Sequence, residues 1–182
     1  MNQIQSILDR LEQRDRFSLA EVRAWMRHEG DLVLWAAVYE LLSRGVRRIR
    51  PEPDADETGA FVTRYLLRCV REDVSSDFIP SGYEAAGDLA ANAKSLARKL
   101  PEMESILEAI AERVKQAWLA ADEAERDRLV NGFLEHALES PPVRRFFRPW
   151  KDDPALAEAW RLAMDWGAAH EEQEAHEEQR DE

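Results

Sequence analysis

Two clusters of basic side chains in this 182-residue chain have the types and spacing needed for binding chemistry. The first cluster consists of four arginines within seven positions: Arg44, Arg47, Arg48 and Arg50. The second combines basic and aromatic side chains within eight positions: Arg144, Arg145, Phe146, Phe147, Arg148, Trp150 and Lys151. Arginines beside exposed rings can grip single-stranded nucleic acid, because the charges follow the phosphates and the rings stack on bases. The same side chains form hot spots in protein interfaces.

Three interpretations of these two clusters stay open. They bind a protein partner, they bind nucleic acid, or they are an arginine-rich surface over buried rings. Convergence of both clusters into one groove would favour nucleic acid, whereas scattered clusters would disfavour it.

Glu40 is the only charged residue in the apolar segment 32–42, whose sequence is LVLWAAVYELL. A buried carboxylate is costly unless it is paired. We therefore predict an ion pair between Glu40 and an arginine. A catalytic acid or an anchor for a partner is the alternative, and an enzyme would need a pocket around Glu40 with a second titrating group.

The remaining reactive side chains favour structural roles. Cys69 lies on an apolar helical stripe, where a cysteine behaves as a small hydrophobic residue. His170 and His176 are six positions apart, whereas two ligands on a helix are three or four apart. No glycine-rich phosphate loop, nucleophile motif or dinucleotide motif is present. The sequence therefore predicts no metal, no cofactor and no catalytic residues.

The elements that must position these side chains are helices. Apolar residues recur at helical spacing along the chain, and no stretch alternates with the period of a strand. The pattern predicts an all-α fold, an irregular multi-helix bundle of seven or eight helices. Helix pairs begin near residues 19, 58, 101 and 142, a spacing that also suits a HEAT-like stack of antiparallel pairs. The pairs share no sequence signature, so the irregular bundle is preferred.

Start and stop signals mark several helix boundaries. Ser18 and Glu21 have the spacing of a capping box. The predicted N-caps are Ser18, Asp31, Thr58 and Asp122. We expect Gly30 to end a helix in the left-handed conformation, and Pro101 to open one. Residues 46–57, with two prolines, are predicted to be a loop.

Charge and composition limit the organisation of the chain. The net charge is −12, and residues 151–182 contribute −8 of it, from eleven acids and three bases. Residues 1–169 are predicted to form a single helical domain, and residues 170–182 an acidic tail that extends the last helix. No apolar run reaches the roughly 18 residues that a membrane helix needs, and the N-terminus lacks the features of a signal peptide. We expect a cytoplasmic protein without a membrane partner.

Together these features predict a non-catalytic protein-interaction module of bacterial type. It would be a small binding, inhibitor or immunity-like protein, or a subunit of a larger assembly, with a protein as its partner. The alternative is a nucleic-acid-backbone-binding subunit of a ribonucleoprotein-type complex that uses the two basic clusters. A helical enzyme is the least favoured class.

Overall fold

The computed structural model describes residues 3–165 and confirms an all-α multi-helix bundle. Its helices are α1 (Gln3–Glu12), α2 (Leu19–Met26), α3 (Leu32–Gly45), α4 (Ala55–Glu72), α5 (Gly82–Ala97), α6 (Glu104–Ala120), α7 (Glu123–Arg128), α8 (Glu135–Leu138) and α9 (Pro141–Phe147). Short 3-10 turns follow α3 and α9, and the chain is again helical from 157 to 165. Within the described range, no helix is both long and apolar enough to span a bilayer. The predicted tail, 170–182, lies outside the described residues.

Local capping signals begin several of these helices. The Ser18 hydroxyl accepts a hydrogen bond from the Glu21 amide at 3.2 Å, and the Glu21 carboxylate accepts one from the Ser18 amide at 3.0 Å. This reciprocal pair confirms the predicted capping box. The side chains of Asp31 and Asp122 cap α3 and α7 as predicted. The prediction for Thr58 is wrong, because Asp54 caps α4 and places Thr58 inside the helix.

The segment between α3 and α4 is more ordered than a loop. Val46–Arg48 forms a 3-10 turn, and Ile49–Arg50 forms a strand, β2, that pairs in parallel with the strand β1, Phe17–Ser18. Phe17 and Ile49 are both buried, so this pairing joins two distant segments through the core. The prediction of no sheet is corrected by these two short strands, whose length is below what a period-two pattern can reveal.

Two predicted helix boundaries are also corrected. Helix α2 ends at Met26, Arg27 caps it in the right-handed conformation, and Gly30 has no positive φ. Pro101 lies in a turn that precedes α6, which begins at Glu104.

Helix α3 is the central element of the core. Its buried residues include Leu34, Trp35, Ala37, Val38 and Leu41, which together cover most of its circumference. This confirms that segment 32–42 is surrounded by protein. Helices α4, α5 and α6 add apolar stripes to the same cluster, and α5 contributes mainly small alanines. Small residues allow neighbouring helices to approach closely.

A π-helical segment, Leu129–Leu134, joins α7 to α8 and packs against α5. Gly132 explains this close packing, because a Cβ atom at this position would lie 2.6 Å from the Ala86 Cβ atom. Arg128, just before the segment, is buried and donates a 2.7 Å hydrogen bond from Nε to the Val70 carbonyl. It also lies 3.3 Å from the Asp73 carboxylate, so it joins α7 to the end of α4.

Candidate partner-binding cleft

The first predicted cluster is largely engaged within the protein. Arg44 forms an ion pair with Glu40 one helical turn earlier, which confirms the predicted partner of Glu40. Arg48 is half-buried and donates to the Leu11 carbonyl. Arg50 donates to the Ile49 carbonyl at 2.9 Å, and Arg47 is exposed. Arg44, Arg47 and Arg50 are all exposed, and of these only Arg44 is ion-paired.

The second predicted cluster contains both buried and exposed side chains. Phe147 and Trp150 are buried, and their ring centroids are 5.2 Å apart in an edge-to-face arrangement. Because both rings are buried, neither can stack on a base. The nucleic-acid alternative requires exposed rings, so it is not supported at Phe147 and Trp150. Phe146 is half-buried beneath the Arg145 guanidinium, at 4.7 Å.

The charged members of the second cluster differ in their engagement. Arg145 donates to the Glu104 carboxylate at 2.7 Å, and Arg144 donates to the Leu138 carbonyl at 2.6 Å. Arg148 and Lys151 are exposed. This second cluster packs on α5, α6 and α8. The first cluster lies at the end of α3 and in the segment after it, and contacts α1 and α2, so the two clusters rest on different helices.

A different set of arginines converges in one cleft. Arg64, Arg68 and Arg71 of α4 join Arg113 of α6 along a cleft of about 650 Å³, which we call the arginine cleft. The first three are spaced by four and three positions, so they form one stripe on α4. That stripe is visible in the sequence, but the approach of Arg113 depends on how α4 packs against α6.

Trp35 lines the arginine cleft and supports two of these arginines. The guanidinium carbons of Arg64 and Arg68 lie 5.5 and 5.4 Å from the centre of the Trp35 ring system. Such cation–π contacts hold a guanidinium in place before any ligand arrives. The indole Nε1 of Trp35 is buried and has no hydrogen-bond partner within the described part of the chain. An unpaired buried donor is costly, which points to a missing acceptor.

Three glutamates partly neutralise the arginine cleft. Arg68 donates to the Glu72 carboxylate at 2.7 Å, and this hydrogen bond is the main reason that the pKa of Glu72 is lowered. Arg71 lies 3.6 Å from the same carboxylate, and Arg64 lies 3.5 Å from that of the exposed Glu29. An arginine has five N–H donors, so each of these side chains retains donors for a further acceptor.

The third glutamate, Glu125, lies at the α7 side of the arginine cleft. It is 8% exposed, and burial raises the pKa of its carboxyl, although the positive charge of Arg71 opposes this shift. Glu125 has no ion-pair partner among residues 3–165, and neither has Arg113. The cleft therefore contains an unpaired guanidinium and a buried carboxyl whose pKa is raised.

Other predicted chemistry stays structural. Cys69 is fully buried, and burial raises the pKa of its thiol to about 11, which confirms the prediction of a small core residue. Among the described residues, no group of three or more His, Cys, Asp or Glu side chains could hold a metal ion. His170 and His176 lie outside the described residues. No family model, curated protein or solved structure matches this chain.

Proposed function

We propose that this protein is an interaction module that binds an acidic segment of a partner protein in the arginine cleft. The observation that carries this proposal is the convergence of four arginines from two helices in one cleft, where two of them, Arg64 and Arg68, lie over the Trp35 indole. Arginine and tryptophan are the side chains most enriched at the energetic centres of protein interfaces. An inhibitor, an immunity-like protein or a subunit of a larger assembly would each use such a surface, and none needs catalysis.

The length of the arginine stripe favours a peptide over a compact anion. Arg64 and Arg71 are seven positions apart, which is about 10 Å along a helix. Alternate residues of an extended segment are about 7 Å apart and point to the same side. Two carboxylates of one strand can therefore reach different arginines, whereas a single phosphate cannot cover the stripe.

The floor of the arginine cleft also favours protein over nucleic acid. Leu67, Ala117 and Ala120 line it between the charges, as apolar residues do at the centres of protein interfaces. Stacking platforms for bases are lacking at Phe147 and Trp150, which are buried. The net charge of −12 repels a long polyanion more strongly than a short acidic segment.

Fluorescence anisotropy with a labelled oligoglutamate peptide tests the proposal. The substitutions Arg71→Gln and Arg113→Gln together should weaken binding at least about tenfold, because each removes charge-assisted hydrogen bonds. The matched control combines Arg47→Gln and Arg50→Gln, which remove the same charge from exposed positions outside the cleft. Its affinity should stay within about twofold of the wild type, because exposed charges contribute little. Thermal midpoints verify that all variants fold.

Two results would overturn the proposal. Equal losses in both double variants would show binding by general charge, not by the cleft. Tighter binding of a single-stranded oligonucleotide than of the peptide, with a steep salt dependence, would instead support the nucleic-acid alternative.

A further inference from the structure

A second cavity lies against α3 and α4, and it does not depend on the function proposed for the arginine cleft. This cavity of about 610 Å³, which we call the tyrosine pocket, is closed by α1, α5 and the segment 73–81. Its lining includes Leu8, Leu11, Tyr39, Tyr65, Phe78 and Asp88. A volume of this size accommodates a small organic molecule.

Tyr65 provides an unsatisfied polar group at this pocket. Its side chain is fully buried, and its hydroxyl has no hydrogen-bond partner within the described range. The Cys69 thiol lies close to this hydroxyl and helps to raise the pKa of Tyr65, but a thiol is only a weak hydrogen-bond partner. Tyr39 holds the ring in place, with centroids 5.0 Å apart. A buried hydroxyl without a partner is rare in native proteins, and it points to a ligand or an ordered solvent molecule.

The carboxylate of Asp88 acts on both tyrosines. Burial is the main cause that raises the pKa of Tyr39 and Tyr65, and the negative charge of Asp88 adds to it in both cases. Asp88 lies at the exposed mouth of the tyrosine pocket and has no ion-pair partner among residues 3–165. Its own pKa is raised by partial desolvation and by Glu84. An unpaired carboxylate beside two phenols gives this end of the pocket a negative potential.

The other charges of the tyrosine pocket do not cancel this potential. Glu40 and Arg44 pair with each other, and Arg48 donates to the Leu11 carbonyl. Glu12 and Asp77 add two carboxylates that, like Asp88, have no ion-pair partner in the described range. The pocket therefore has an excess of negative charge at its rim and apolar side chains at its walls.

We propose that the tyrosine pocket binds a small organic ammonium ion. The Asp88 carboxylate accepts a hydrogen bond from the ammonium group, and the Tyr65 hydroxyl supplies a second polar contact. The apolar part of the ligand packs against Leu8 and Leu11, and the exposed Phe78 ring lies at the mouth for a cation–π contact. The site combines the negative charge and aromatic faces by which proteins recognise ammonium ligands.

This pocket also bears on the enzyme alternative. It contains Glu40 and a second titrating group, Asp88, which is the arrangement that an enzyme would need. Glu40, however, is ion-paired with the exposed Arg44. The arrangement supports binding of a cation, and catalysis stays an untested alternative.

Titration calorimetry with phenethylammonium, against its neutral analogue 2-phenylethanol, tests the proposal on the full chain. The ammonium compound should bind saturably, and the alcohol at least about tenfold more weakly, because it lacks the charge-assisted hydrogen bond. Asp88→Asn should weaken ammonium binding about tenfold. The matched control, Asp152→Asn, removes an exposed carboxylate outside the pocket and should leave the affinity unchanged within about twofold.

Tyr65→Phe gives a second, isosteric variant that removes only the hydroxyl. It should weaken ammonium binding about fivefold, since one hydrogen bond is lost. The proposal is overturned if the ammonium compound shows no saturable heat, if the alcohol binds equally well, or if Asp88→Asn leaves the affinity unchanged.

Discussion

The buried carboxyl of Glu125 gives the arginine cleft a measurable dependence on pH. Burial raises its pKa in the folded state above the unfolded value. The folded state therefore binds this proton more tightly than the unfolded state does. As pH rises from the unfolded pKa through the folded pKa, the free energy of unfolding decreases. Glu125→Gln should raise the free energy of unfolding at neutral pH, and this gain should fade below about pH 4.

Urea unfolding of Glu125→Gln at neutral and acidic pH measures this difference. The control is Glu123→Gln, an exposed position two residues earlier. The same Glu125 substitution should also tighten binding of oligoglutamate, because it removes a negative charge from the cleft. An equal effect of both substitutions on stability would contradict the assigned role of burial.

Arg128 is the residue whose loss we expect to be most damaging outside the apolar core. It is buried and hydrogen-bonded to the Val70 carbonyl, and it lies beside the Asp73 carboxylate. Arg128→Ala should lower the free energy of unfolding by about 3 kcal/mol, because it leaves buried acceptors without a donor. Arg47→Ala, at an exposed position, should change stability by less than about 0.5 kcal/mol. Chemical denaturation of both variants compares these values.

The π-helical segment can be tested at the scale of a helix pair. Gly132→Ala places a methyl group 2.6 Å from the Ala86 Cβ atom, so α5 and the segment must move apart. We expect a loss of about 1–3 kcal/mol, as for an overpacked core. Gly87→Ala on α5 is the control, because a Cβ atom there meets nothing within 4 Å. It should gain up to about 1 kcal/mol from helix propensity. Similar thermal midpoints for the two variants would show that stability does not depend on this close approach of Gly132 to Ala86.

Local signals and tertiary contacts differ in how far the sequence reveals them. The caps at Ser18, Asp31 and Asp122 were predictable because each depends on a few neighbouring residues. Asp54 was missed because it lies in a charged, proline-containing stretch that resembles a loop. The close packing of the π-helical segment on α5 was not predictable, since it depends on the contact between Gly132 and Ala86, which are distant in the chain.

The candidate site likewise combines features that the sequence reveals with features that depend on tertiary packing. The spacing of Arg64, Arg68 and Arg71 places them on one face of a helix, and this is readable from the sequence. The approach of Arg113 and the position of Trp35 follow from helix packing, which the periodicity of single segments does not determine. The segment 143–150 is too short to show which rings face inward, so the sequence left the burial of Phe147 and Trp150 as one of three open interpretations, and it is the one that these two rings support.

The charge of the whole molecule opposes an acidic partner at long range. Residues 170–182 contain seven acids and one arginine, so their removal would change the net charge from −12 to −6. Deleting them should tighten oligoglutamate binding at low salt, because long-range repulsion decreases. The thermal midpoint should stay nearly unchanged, because the segment has no apolar face to bury. A large drop in the midpoint would contradict the prediction of a dispensable tail.

The position of Trp35 has an optical consequence. Its indole is 4% exposed and lies beneath Arg64 and Arg68, with the Nε1 donor unpartnered among residues 3–165. A carboxylate that enters the arginine cleft and accepts from Nε1 would shift the emission of this indole to longer wavelength. The chain has six tryptophans, so the wild-type spectrum minus that of Trp35→Phe isolates the contribution of this one. The cleft thus contains its own fluorescent probe, and occupancy can be followed without a label on either binding partner.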